Sequence, residues 1–182
     1  MQFQKSLLTA TLLAAASLTA VSANAAGTAT GEFNVKLTIN SVCSVDAAVG
    51  TNDISFGSVD AGTAFAGVTA ASSAVDIGVT CSKNAPYFIN LTPQNVTSTT
   101  GAGTMNGPGA DTINYQLYSD SEATKVWGNT ATLGVVGNGV TGTGAGLAPT
   151  ASNKHKVYAK LTSTTDIQVG NYTDNVKVSV IY

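Results

Sequence analysis

The sequence contains no arginine and only one histidine in 182 residues. Charged side chains make up 10 % of it, against ~25 % in typical soluble domains. Arginine dominates phosphate and base-edge contacts, so its absence argues against a nucleic-acid partner. Two cysteines and one histidine, with no close ligand spacing, argue against a metal site. Beyond the first 25 residues no apolar run is long enough to span a bilayer. The same region has no window with the 3.6-residue apolar period of a helix. Gly, Ala, Thr, Ser and Asn fill the space instead. A surface so nearly neutral gives little long-range repulsion and suits dense association.

Residues 1–25 read as a secretory signal peptide. Lys5 is their sole charge. It precedes an apolar run from Leu7 to Ala16 and a small-residue site, Ala23-Asn24-Ala25. The run is too short, and too rich in Ala, Ser and Thr, to anchor in a membrane. Cleavage after Ala25 leaves 157 residues, which suits one domain. Losing Lys5 moves the net charge from −2 to −3. After export, Cys43 and Cys81 are most simply one disulfide. Its 38-residue loop is worth about 4 kcal/mol on the chain-entropy model. Free thiols are the alternative.

What remains alternates. In GEFNVKLTINSVC, residues 31–43, Phe33, Val35, Leu37 and Ile39 are apolar and the residues between them polar. Period-two alternation marks a strand with one buried face. Residues 42–45 continue from it. Further strands are expected at 53–59, 74–81, 86–93, 112–120, 156–162 and 175–182. Segments 97–110 and 134–149 are rich in Gly and small polar residues and are expected to be loops. Short alternating strands between turn residues predict an all-β sandwich or barrel.

Residues able to do chemistry are present but uncoordinated. Gly137-Asn138-Gly139-Val140-Thr141-Gly142 matches a dinucleotide fingerprint, but Gly144, Gly146 and Pro149 make the required helix implausible. His155, between Lys154 and Lys156, has no obvious orienting carboxylate, and a solvated loop is expected there. The aspartates are scattered, mostly where turns and strand ends are expected. Nothing selects an active site, so the sequence points to no enzyme, cofactor or metal.

The two ends carry the signal. The last strand runs to Tyr182, and a sheet that ends so could lack a following strand and leave a groove with unpaired backbone groups. An alternating segment from another copy could fill it by strand addition. On pattern alone, an ordinary closed sandwich with strand 33–39 paired at home is the favoured reading, since consecutive strands usually share a domain.

Several stretches bear on that choice. They are Thr30 to Ile39 leading to Cys43, Phe56-Gly57 before a Gly/Ala-rich stretch, and Val79-Thr80-Cys81. Asn114-Tyr115-Gln116-Leu117-Tyr118 with Asp120 follows, and Gly170-Asn171-Tyr172-Thr173-Asp174 precedes the closing Val176 to Tyr182. With them the sequence resembles the spore coat protein U-like pilins of the archaic chaperone–usher pathway, the Csu-type pilus subunits.

The resemblance implies an incomplete immunoglobulin-like β-sandwich completed by donor-strand exchange. Residues 1–25 would be the signal peptide, 26–40 the donor segment and 41–182 the pilin domain. A periplasmic chaperone would lend a strand during folding. An outer-membrane usher would exchange it for the next subunit's N-terminal segment. The product would be a cell-surface fibre for adhesion and biofilm, its partners neighbouring copies or related pilins. Phe33, Val35, Leu37 and Ile39 would be the donor side chains. Val176, Val178, Val180 and Tyr182 would border the acceptor groove, and Cys43 and Cys81 would form the disulfide. The alternatives are a self-contained secreted binding module, with strand 33–39 at home, and a spore or cyst coat protein.

Overall fold

The computed structural model describes residues 26–63 and 72–182. The expected signal peptide lies outside them. The described residues form eight strands: β1 (Cys43–Asp46), β2 (Ser72–Cys81), β3 (Pro86–Pro93), β4 (Ala102–Asn106), β5 (Thr112–Tyr118), β6 (Val140–Thr143), β7 (Asn153–Leu161) and β8 (Val176–Ile181). A 3-10 turn, Pro149–Ala151, precedes β7. One sheet has the order β1-β2-β7-β5-β4 and the other β6-β3-β8. Every pairing is antiparallel. No helix of the described residues is long and apolar enough to cross a membrane.

The alternation read from the sequence becomes the core. Ile77 and Val79 of β2, Val157 and Ala159 of β7, and Tyr115 and Leu117 of β5 pack with Tyr87, Ile89 and Leu91 of β3. Full burial of side chains this size contributes about 1.5–3 kcal/mol each. Strand β3 is buried on both faces, since Phe88 and Asn90 are covered too. Asn90 is paired there. Its Nδ2 donates to Ala131 O at 2.9 Å, and Ala131 N donates to its Oδ1 at 3.0 Å. The Trp127 indole donates to Ile89 O at 3.0 Å and closes that end of the core.

The structure corrects four expectations. Residues 53–59 form no ladder. Ile54 and Phe56 do turn half-buried side chains onto the core, so the alternation is real, but no described strand runs alongside. Gly57, at φ 70°, then breaks the extended run. The expected loop 97–110 contains β4, and 134–149 contains β6. His155 is not in a solvated loop. It lies in β7, half-buried, with Nε2 2.8 Å from Tyr87 Oη.

The glycines of the 137–142 run have local structural roles. Gly137 has φ 51°, Gly139 lies against Ile89 O, and Gly142 lies against the Tyr87 ring. A side chain at Gly142 would occupy the space of that ring. Strand β6 follows where a phosphate site needs a helix.

Residues 26–38 form a unit distinct from 39–182 and carry no ladder. Within them Phe33 and Val35 are each 87 % exposed and Leu37 83 %. Ile39, at the start of the larger unit, is also 83 % exposed.

Candidate functional site

A groove of about 320 Å³ lies between the two sheets. Its floor is apolar: Leu91, Leu117, Val157 and Ala159. Ile54, Phe56, the turn residues Ala47, Ala48 and Val49, and Val176 and Val178 line it as well. That volume falls at the lower end of ligand pockets and is enough for several apolar side chains.

The strand beside the groove has a free edge. Strand β8 pairs with β3 from Phe88↔Ile181 to Pro93↔Val176. Among the described residues nothing pairs its other side. Alternate backbone N–H and C=O groups along it are therefore available to another strand. Strand β1, at the edge of the larger sheet, lies near β8 across the sandwich.

The start of β8 is held by Asp174. Its Oδ1 accepts from the backbone N–H groups of Asn175 at 2.8 Å, Asn95 at 3.0 Å and Gln94 at 3.3 Å. Its Oδ2 accepts from Tyr115 Oη at 2.8 Å. Burial, and then the Asp174 carboxylate, push the Tyr115 phenol far above its ordinary pKa. The bond thus fastens β8 to β5 of the opposite sheet. Asn95 Nδ2 adds bonds to Thr104 O and Thr173 O at the same corner.

The disulfide joins Cys43 and Cys81 with Cα atoms 4.1 Å apart. They are direct register partners on β1 and β2. Beyond them Ser82 N donates to Val42 O at 2.9 Å and Val42 N donates to Ser82 Oγ at 3.0 Å. The chain thus enters β1 at the Cys81 end of β2. Among the described residues no group of His, Cys, Asp and Glu could hold a metal ion.

The expected border residues divide. Val176 and Val178 line the groove. Val178 and Val180 pack partly buried against the core. Tyr182 lies just past β8 and is 48 % exposed. Phe33, Val35, Leu37 and Ile39 are in solvent. Sequence reading missed Tyr115 and Asp174 as partners and Ile54 and Phe56 as groove lining. The alternation at 54 and 56 was a signal for the second pair. The first pair spans 59 residues, and no local pattern links them.

No curated protein matches this chain. Among solved structures the fold resembles the complex of chaperone CsuC with tip adhesion subunit CsuE, from the archaic chaperone–usher Csu pili of Acinetobacter baumannii. The TM-score is 0.50 at 20 % identity, over 80 % of this chain and 41 % of that one. This chain thus spans about two fifths of the chain it matches. The Spore Coat Protein U domain model matches residues 29–179. That span is nearly the whole sequence after the expected signal peptide, and the chain belongs to the Spore Coat Protein U domain family.

Proposed function

We propose that this chain is a structural pilin of a chaperone–usher surface fibre, and that it polymerises by donating its N-terminal segment to a neighbour. The carrying observation is a pair of complementary defects. A groove lies beside the unpaired edge of β8, and an alternating apolar segment has its side chains in solvent. Phe33, Val35, Leu37 and Ile39 enter the groove of the next copy. Val176 and Val178 meet them, and the β8 backbone pairs with the incoming strand. Val180 and Tyr182 continue that border.

Magnitudes favour the exchange. Four inserted side chains contribute about 1.5–3 kcal/mol each on full burial, and backbone pairing adds to that. Strand exchange then needs no energy source beyond a subunit held at higher free energy. A periplasmic chaperone holds it, and an outer-membrane usher passes it on. Likeness to a subunit in a chaperone complex supports this reading. In this scheme residues 1–25 are the export signal, 26–40 the donor and 41–182 the acceptor domain.

The direction of the chain is compatible with a head-to-tail fibre. It enters β1 beside Ser82, whereas the groove is lined by Val75 and Ile77 nearer the start of β2. Donor and acceptor are different surfaces, so the contact is head-to-tail and can repeat without closing. The fibre stands at the cell surface and serves adhesion and biofilm.

The test is Leu37→Asp in cells expressing the fibre. A carboxylate forced into an apolar groove blocks exchange. The expected outcome is a chaperone-bound, folded subunit with no fibres. Normal fibres from this variant would overturn the proposal.

A further inference from the structure

We propose that Tyr87, His155 and Asn153 form an acid-sensitive clasp between the two sheets. Tyr87 stands on β3 of the smaller sheet and is fully buried. His155 and Asn153 stand on β7 of the larger one. Tyr87 Oη lies 2.8 Å from His155 Nε2 and 3.0 Å from Asn153 Nδ2. The tyrosine and histidine rings meet edge-on, with centroids 5.7 Å apart and planes at 87°. Asn153 Nδ2 also donates to Thr143 O of β6 at 2.7 Å.

Counting donors fixes the protons. An amide NH₂ only donates, so Tyr87 Oη accepts from Asn153. The single phenolic hydrogen is then free for His155 Nε2, which must be bare to accept it. The imidazole is therefore neutral, with its hydrogen on Nδ1. Protonating His155 sets two donors face to face. Tyr87 must then turn its hydrogen away from the ring, and no second acceptor for it exists among the described residues. A buried hydroxyl without an acceptor is costly.

The surroundings do not offset that cost. Lys154 and Lys156, on the outer face of β7, pair with Asp46 of β1 at 3.7 Å and Asp76 of β2 at 3.0 Å. Strand β2 opposes His155 with Ile77, β3 presents Tyr87, and β6 presents Gly142 and Thr143. No carboxylate bonds the ring among the described residues. Burial itself holds the His155 pKa below its ordinary value, in agreement with the geometry.

The sign follows. Above about pH 6.5, the ordinary imidazole value, folded and unfolded chains are both neutral at this site and the clasp is closed. As pH falls below that value the unfolded chain takes the proton first, so stability is lost toward acid. The loosening centres on Asn153, Thr143 and Tyr87, at the end of the sandwich where the chain enters β1.

The experiment compares thermal unfolding of the mature chain at about pH 7.5 and about pH 5 with that of His155→Gln. Glutamine offers Tyr87 an acceptor that does not titrate. The wild type is expected to lose more on acidification than the variant, with faster amide exchange in β6. An equal loss in both chains would overturn the clasp. Nitrogen NMR of the wild-type histidine decides independently if the variant fails to fold. Nε2 should report as an unprotonated acceptor at neutral pH, with a midpoint below about 6.5. A midpoint at or above that value would also overturn it.

Discussion

Tyr115 Oη donates to Asp174 Oδ2 at 2.8 Å, joining the inner face of one sheet to the residues just before the free-edged strand of the other. Tyr115 is 5 % exposed. The same carboxylate holds three backbone N–H groups. Asp174 therefore sets where β8 begins and where the groove ends. Removing it should cost more than removing the phenol. Tyr115→Phe is expected to lower stability by about 1.5–3 kcal/mol, the range for hydrogen bonds to charged groups. Asp174→Ala should exceed that, because it leaves several donors unmet. Urea unfolding of the two variants checks the order.

The same bond predicts behaviour in alkali. In the folded chain the Tyr115 phenol keeps its proton well above the ordinary value, first through burial. The unfolded chain gives that proton up near pH 10. This contribution to stability is thus present below about pH 10 and lost as pH rises past it. Tyr115→Phe removes it. Alkaline unfolding should therefore be less steep in the variant, and an ultraviolet titration should find one tyrosine fewer resisting ionisation.

The disulfide predicts a larger loss. Cys43 and Cys81 close 38 residues that include the groove lining Ala47, Ile54 and Phe56. Replacing both with serine is expected to cost about 4 kcal/mol. The urea midpoint of the double variant, against oxidised wild type, checks it. Accessibility to protease should rise first between residues 47 and 63, where no ladder holds the chain.

Asn90 opens the tripeptide Asn90-Leu91-Thr92, a glycosylation-like sequon, yet its role in the fold is structural. Its amide meets both backbone groups of Ala131 while 7 % exposed. Asn90→Ala is expected to cost about 1–3 kcal/mol for each buried group left unmet. Chemical denaturation reads the loss directly. Attachment of a glycan at Asn90 would require this pairing to break.

Which strands were legible depended on where their large side chains sit. Strands β2, β3, β5, β7 and β8 carry their own alternating apolar residues and could be read directly. Strands β4 and β6 could not, because each has only one large apolar residue on the core, Met105 and Val140, beside a glycine that lies under a neighbour's ring. Gly103 is the register partner of Tyr115, and Gly142 that of Tyr87. In each case the tyrosine covers the face its partner leaves bare. The pattern that defines these strands is thus written in another part of the chain. Segment 53–59 fails in the opposite way: it has the alternation but no described strand beside it. His155 was misread because its lysine neighbours point to the outer face and pair there. Val176 and Val178, marked by their own alternation, line the groove. The Tyr115–Asp174 fastening was not legible, since it joins residues 59 apart.

The most direct measurement moves the opening segment. Residues 27–40 are copied after Tyr182 through a flexible linker, and the original segment before Cys43 is deleted. Thermal unfolding and oligomeric state are compared with those of the native mature chain. The account predicts a monomer that melts at a sharply higher temperature, because the groove beside β8 is filled from within the same molecule. An unstable or unchanged product, beside a native chain that is already a stable monomer, would contradict it and assign residues 33–39 to their own domain.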